Sequence, residues 1–360
     1  MLPSTTIVIK IGSNVLTQAN GLPDLHRMGH LVDQVMKLKA AGKKVVLVSS
    51  GAVAFGRQKA FLPEKLNPVF KKQIWASTGQ IQLINRYQDL FEKHGQTIAQ
   101  ILVTKEDFRD RKHYLNMKNC IEALLQQDIF PIVNENDTVT ITELMFTDND
   151  ELAGLTAAMI NADTLMILSN VHGIFTGNPE NPSSQLIEKV QVNMPEINQY
   201  ISASKSSFGR GGMLTKYAMA KKSADLGIQV FIANGKNDGV LEAFLDGSLR
   251  CTWFEPQKQK QAPKKWLAHG SHYYKGEVFI NDGAKESLTS TVIRSLLPIG
   301  VSRVEGEFSK GDILLIRDEK GEKIGLGRAE YSSKSALEKI GQRQQKAIIH
   351  YNYLYLFDHE

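Results

Sequence analysis

The chain has 360 residues, 42% of them apolar and 22% charged, with 43 Lys/Arg against 38 Asp/Glu. That is long enough for two domains with real cores, and the composition excludes a disordered, collagen-like or disulfide-stapled chain. No apolar run approaches a membrane span, and the start, Met-Leu-Pro-Ser-Thr-Thr before Ile7-Val8-Ile9, lacks the basic stretch and long apolar core of a signal peptide. Two cysteines, Cys120 in a helical pattern and Cys251 in a strand-like one, form no framework and read as buried thiols of a cytoplasmic protein. Residues 256–360 hold 17 Lys/Arg and 13 Asp/Glu, so the basic excess sits in the C-terminal part. It is a mild nucleic-acid signal, far short of a basic stripe.

Thr5–Ile11 alternates and then runs apolar, which predicts a first strand ending in Lys10-Ile11-Gly12-Ser13. Asp24 is placed to cap a helix through Ala41, with Leu25, Met28, Leu31, Val32, Val35 and Leu38 on one face. Lys43–Ser49 is a second buried strand, followed by Ser50-Gly51-Ala52 and a short helix. Residues 70–94 read as one long helix or two, Gln96–Val103 as a strand and 113–126 as a helix. Ile129–Val133 is a strand that runs into Asn134, Glu135, Asn136 and Asp137. The alternation Thr138-Val139-Thr140-Ile141-Thr142 suggests a hairpin folding Asp148, Asn149 and Asp150 back beside that cluster. Asp148 or Asn149 then caps a helix over 150–161. Leu165–Leu168 and Ile228–Ala233 are further strands around a Ser/Gly-rich stretch, 202–212, and a helix from Met213 to Leu226; Gly239–Leu245 is a last short helix. Strands alternating with helices argue a mostly parallel sheet sandwiched by helices, an α/β domain over 1–255. A polar, Pro-containing linker follows at 256–268. Residues 269–360 are rich in strands, at Lys275–Ile280, Val301–Glu305, Asp312–Arg317, Lys323–Ala329 and Ala347–Tyr351, with a helix near 284–296; a small β-barrel-like second domain is expected.

In open α/β sheets, ligands bind at the carboxyl ends of the strands. Those ends carry Lys10 with Gly12 and Ser13, then Ser50 and Gly51, Asn134 to Asp137, and Ser169-Asn170. Glycines and small hydroxyl residues let backbone N–H groups approach anionic oxygens, so the set reads as a phosphate and carboxylate site. There is no G-x-x-x-x-G-K-[ST], no G-x-G-x-x-G after the first strand, and no Cys/His spacing for zinc. Lys10 stands out because a lysine inside an apolar strand is costly unless paired, unless it snorkels from a sheet edge. Lys216 falls in the first turn of a helix, where a cation is disfavoured unless an anion is bound; taken alone it reads more readily as an ordinary surface lysine. Two lysines beside an acidic cluster suggest phosphoryl transfer.

Lys10-Ile11-Gly12-Ser13, Val48-Ser49-Ser50-Gly51-Ala52, Val133-Asn134-Glu135-Asn136-Asp137, Phe146-Thr147-Asp148-Asn149-Asp150 and Gly211-Gly212-Met213-Leu214-Thr215-Lys216 together resemble the glutamate 5-kinases of the amino-acid kinase superfamily. The tail, with Ser295-Leu296-Leu297-Pro298-Ile299-Gly300 and Phe308-Ser309-Lys310-Gly311-Asp312, is similar to a PUA domain. The resemblance implies ATP-dependent phosphorylation of the γ-carboxylate of L-glutamate, the first step of proline synthesis, with Mg²⁺. It implies that Lys10 and Lys216 stabilise the transferring phosphoryl group and that Asp150 organises them. Ser50, Gly51, Asn134, Asp137, Asp148 and Asn149 would hold glutamate. Lys10, Gly12, Ser13, Ser169, Asn170, Arg210, Gly211, Gly212, Met213, Leu214, Thr215 and Lys216 would meet the nucleotide; the metal ligands are left unknown. Relatives commonly carry Thr-Asp at Ser169-Asn170, Thr at Arg210 and Ser at Leu214. Proline as feedback inhibitor and a homo-oligomer go with the resemblance. The alternatives are another kinase of the superfamily, acting on acetylglutamate or aspartate, and a protein that chiefly binds RNA through its tail.

Overall fold

The computed structural model describes residues 5–139, 146, 148–191, 212–257, 274–289 and 294–357. Its described residues form two compact units, one within Met1–Phe108 and Asn116–Gln259, the other within Arg109–Leu115 and Lys260–Glu360. In the first, strands β1 (Thr6–Ile11), β2 (Lys44–Ser49), β3 (Ile98–Val103), β4 (Phe130–Glu135), β5 (Thr164–Ser169), β6 (Lys189–Val190), β7 (Gln229–Asn234) and β8 (Cys251–Phe254) make one sheet in the order β3-β4-β2-β1-β5-β7-β8-β6. The six strands from β3 to β7 in that order are parallel, and β8 pairs antiparallel to β7. The α/β expectation therefore holds, with β6 too short to be seen in a sequence pattern.

The chain folds this way because its apolar residues sit where helices cover the sheet. Along β1, Ile7, Val8 and Ile9 are fully buried, and β5 buries all six of its residues, the signature of a strand covered on both faces. Helix Leu25–Ala40 packs Met28, Leu31, Val32, Val35 and Leu38 into that core, and Asp24 caps it by accepting from the Arg27 N–H at 2.9 Å. Residues 68–92 form a single helix, entered through Pro68 with Asn67 as cap. The strand expected to stop at Val133 continues through Asn134 and Glu135, both buried. Residues 140–145 of the expected hairpin lie outside the described residues.

Cys251 is buried, and burial together with the Glu188 charge pushes its thiol up to about 11. Cys120 is exposed, against expectation. Its helix, Arg111–Gln126, sends Ile121 into the core and leaves the neighbouring position facing water. No helix among the described residues is long and apolar enough to cross a membrane.

The second unit is a separate five-stranded sheet of β9 (Gly276–Ile280), β10 (Val301–Glu305), β11 (Ile313–Asp318), β12 (Lys323–Ala329) and β13 (Ile349–Leu356), in the order β10-β9-β11-β12-β13. Its pairings are antiparallel except β9 with β11. Val278, Ile280, Leu314, Ile316, Ile324 and Ile349 fill its own core. The helix expected near 284–296 covers Asp282–Thr289, residues 290–293 lie outside the description, and a further helix, Ser333–Lys339, was not legible as one.

Candidate active site

The parallel register brings the polar strand ends into one row. Lys10 pairs with Val48 of β2 and with Ile167 of β5, and Val48 pairs in turn with Val133 of β4. Gly12, Ser50, Asn134 and Ser169 thus emerge on one rim of the sheet. Above it lies a cavity of about 650 Å³, well within the usual size range for small-molecule sites.

Lys10 is no edge residue. It stands in the middle of the sheet with 5% of its side chain exposed, and its ammonium meets Asp150 Oδ1 at 2.5 Å. The other carboxylate oxygen of Asp150 takes Lys216 Nζ at 2.6 Å, and Asp150 itself is fully buried. Burial alone would push this carboxyl up. The charges of Lys10 and Lys216 and the hydrogen bonds from both ammonium groups outweigh that, and the group is held far below the ordinary carboxylate range. One carboxylate between two ammonium groups leaves this triad with a net single positive charge, with the Asp148 carboxyl as its neighbour at the cavity.

Two packing details put these three groups together. Asp148 caps helix Asn149–Met159, its Oδ1 accepting from the N–H groups of Asp150 at 2.9 Å and Glu151 at 3.1 Å. That helix lies against helix Met213–Asp225 so closely that a Cβ on Gly154 would stand 2.2 Å from Met219 Sδ. The glycine gives the Met219 side chain room at the contact between the two helices that carry Asp150 and Lys216. Asp148 Oδ2 accepts from the Thr215 hydroxyl at 3.0 Å, tying the two helix starts once more. Burial and the neighbouring Asp150 charge push the Asp148 carboxyl up, while Lys10 and Lys216 pull it part of the way back.

Asn149 donates to the Ser49 carbonyl at 2.8 Å and to Ser50 Oγ at 3.0 Å, and lies 3.3 Å from Asn134 Oδ1. Asn134 donates to Gln80 Oε1 at 2.8 Å. Gly51, at φ +109°, lets the chain turn from β2 into the next helix where a side chain would be strained. Asp137 is ion-paired to Lys72 of the helix Pro68–Glu92. Among the described residues no side chain caps helix Met213–Asp225 at Gly212, and the N–H groups of such a helix start suit an anion.

Of the expected site residues, Lys10, Gly12, Ser13, Ser50, Gly51, Asn134, Asp137, Asp148, Asn149, Ser169, Asn170, Gly212, Met213 and Lys216 line the cavity. Asp150 lies beneath it, bonded to both lysines. Thr215 is turned to Asp148 and Gly212, and Leu214 is 58% exposed and does not line the cavity. Arg210 and Gly211 lie outside the described residues. Lys72, Arg57, Asn14 and the Asn178–Glu180 turn line the cavity without having been singled out. Lys72 carries no local signal, since its partner is 65 residues away.

No group of three His, Cys, Asp or Glu suited to a metal is found among the described residues. The carboxylates at hand are already engaged, Asp150 by two lysines and Asp148 by two N–H groups and a hydroxyl. The donor set fits a divalent ion that arrives on a nucleotide's phosphates better than one held in a protein cage.

A model of the amino acid kinase family matches residues 5–234, and one of the PUA domain matches residues 276–351. The glutamate 5-kinase of Bacteroides thetaiotaomicron is 47% identical over 355 residues, covering 98% of each chain. That of Chlorobaculum tepidum is 50% identical over 351 residues, covering 97% of each. Among solved structures, carbamate kinase from Giardia lamblia bound to AMP-PNP matches with a TM-score of 0.51 and 18% identity, over 71% of this chain and 100% of that one, a likeness of fold alone. The chain thus belongs to the amino acid kinase family, and within it to the glutamate 5-kinases that carry a C-terminal PUA domain.

Proposed function

We propose that the protein transfers the γ-phosphoryl group of ATP to the γ-carboxylate of L-glutamate, giving L-glutamyl 5-phosphate for proline synthesis. The observation that carries this reading is the bridge Lys10–Asp150–Lys216 at the cavity floor. A carboxylate nucleophile, with reference pKa about 4.3, is ionised at neutral pH and needs no base. Its oxygen attacks the γ-phosphorus as the bond to the bridging oxygen breaks, and that electron pair leaves with ADP. The obstacle is repulsion: two unit charges ~4 Å apart at an effective dielectric of ~20 oppose each other by about 4 kcal/mol. Two lysines held in advance by a fully buried carboxylate offset that without reorganising during the step.

In this reading the Ser169-Asn170 loop and the helix start at Gly212-Met213 take the nucleotide, and Ser50, Gly51, Asn134, Asp137, Asp148 and Asn149 take the amino acid; all of them line the one cavity. Lys10 lies between them. A magnesium ion carried on the phosphates of ATP would neutralise part of their charge beside Lys10 and Lys216. Two unpaired cysteines and the absence of a spanning helix among the described residues support a cytoplasmic setting. The test is ATP consumption dependent on L-glutamate, with the acyl phosphate trapped by hydroxylamine. Turnover on N-acetylglutamate or aspartate in its place would move the chain to another branch of the superfamily.

A further inference from the structure

The amino-acid end of the cavity contains a cation whose role nothing above assigns. Lys72 projects from the helix Pro68–Glu92 into the cavity and is ion-paired with Asp137. Both are largely buried, with 23% and 12% of their side chains exposed. An α-amino acid presents two opposite charges on one carbon, so its two partners must adjoin. Asp137 and Lys72 adjoin. Taken alone, Asp137 as partner for an ammonium leaves the α-carboxylate of the substrate unmatched at this end.

We propose that the Lys72–Asp137 pair reads the zwitterion, Asp137 taking the α-ammonium and Lys72 the α-carboxylate of the acceptor. The inference rests on glutamate as acceptor. Arg57, also on the cavity wall, has its guanidinium laid over the Trp75 ring at 4.9 Å. The Lys72–Asp137 pair carries no net charge, so it matches a zwitterion and disfavours a ligand with only one of the two charges, which leaves one largely buried partner uncompensated.

Placement agrees with the assignment. Lys10 stands near the end of β1, and β4, two strands away in the sheet, leads through Asn134 and Glu135 to Asp137, so Lys10, Asp137 and Lys72 all line one cavity above the same rim.

The test compares L-glutamate with L-isoglutamine, which keeps the α-ammonium and the γ-carboxylate but carries a neutral amide in place of the α-carboxylate. The comparison is read as kcat/KM, or as a competitive inhibition constant if isoglutamine is not turned over. The full-length wild type should prefer glutamate by about 10- to 100-fold. Lys72→Met should bring the two within ~3-fold by weakening glutamate selectively, with KM for ATP nearly unmoved, and Lys72→Arg should restore most of the preference. If Lys72→Met loses glutamate and isoglutamine equally, so that the ratio stands, Lys72 merely positions Asp137 and the proposal fails. Lys72→Gln provides the same reading if the Met variant does not fold. A wild type without glutamate-dependent turnover would instead overturn the function itself.

Discussion

Asp150 in the first unit and Asp318 in the second are both buried carboxylates with lysine ammonium groups at 2.5–2.6 Å, and their surroundings differ in ways that decide their use. Asp318 meets one lysine, Lys285, whose side chain is 32% exposed, and spends its other oxygen on the N–H groups of Lys320 and Glu322 in a turn. Lys285 also meets Glu322 at 3.4 Å, so this cluster has no positive charge to spare and fastens a β-turn. Asp150 meets two lysines, 5% and 12% exposed, so it binds one positive charge more than it cancels, against a cavity. Burial turns an ion pair into a tool only when it leaves charge unspent beside a place where an anion can arrive.

The sharpest way to break this comparison is the same substitution in both units. Asp150→Asn should lower kcat by about 10³-fold and cost roughly 3–5 kcal/mol in a urea titration, because two largely buried ammonium groups lose their counter-charge. Asp318→Asn should leave turnover unchanged and shift the melting temperature little, the shift fading in high salt. If the two behave alike, the contrast drawn here is wrong. Lys10→Ala and Lys216→Ala should each reduce kcat by at least ~100-fold with the fold retained. Undiminished turnover in either would remove that lysine from the site.

Asp148 sharpens the comparison through pH. The Asp150 carboxyl is depressed in the fold, so its contribution to stability is present above the unfolded value of about 3.9 and disappears as pH falls through the lower folded value. Asp148 is shifted upward by burial and by Asp150, so it has the opposite sign, and its ionisation weakens the fold as pH rises past about 4. Asp148→Asn should therefore melt at or above the wild-type temperature at pH 7, while glutamate turnover drops by ~10-fold or more. A marked loss of stability would show that the carboxylate is needed as a cap in its charged form. The smallest effect is expected from truncation after Pro263, which should leave glutamate-dependent turnover measurable. Its complete loss in a folded truncate would mean that the two units are not separable.

Much of the fold was legible because the signals are local. Asp24 and Asp148 announce their helices within three residues, and the apolar runs of β1, β2 and β5 need covering on both faces whatever lies elsewhere. Lys10 was legible as an anomaly, a cation in an apolar strand, though only the sheet order shows that it cannot snorkel from an edge. That Asp150 joins the two lysines came from resemblance, since no periodicity links residues 140 and 66 positions apart. Lys72 and Gln80 stayed hidden for the same reason: a long helix with lysines on it reads as a solvated face until its tertiary neighbours are known. Cys120 was misplaced because a helical pattern does not say which side of a boundary position meets water.

The row Lys10–Val48–Val133 has a consequence for how this enzyme can change over generations. The ladders across β1, β2 and β4 fix where the polar ends of these strands stand. The charges that meet an acceptor are carried by side chains on that frame, Lys10 at one end and Asp137 and Lys72 at the other. A single substitution can therefore change which acid is accepted while the frame beneath it stays as it was.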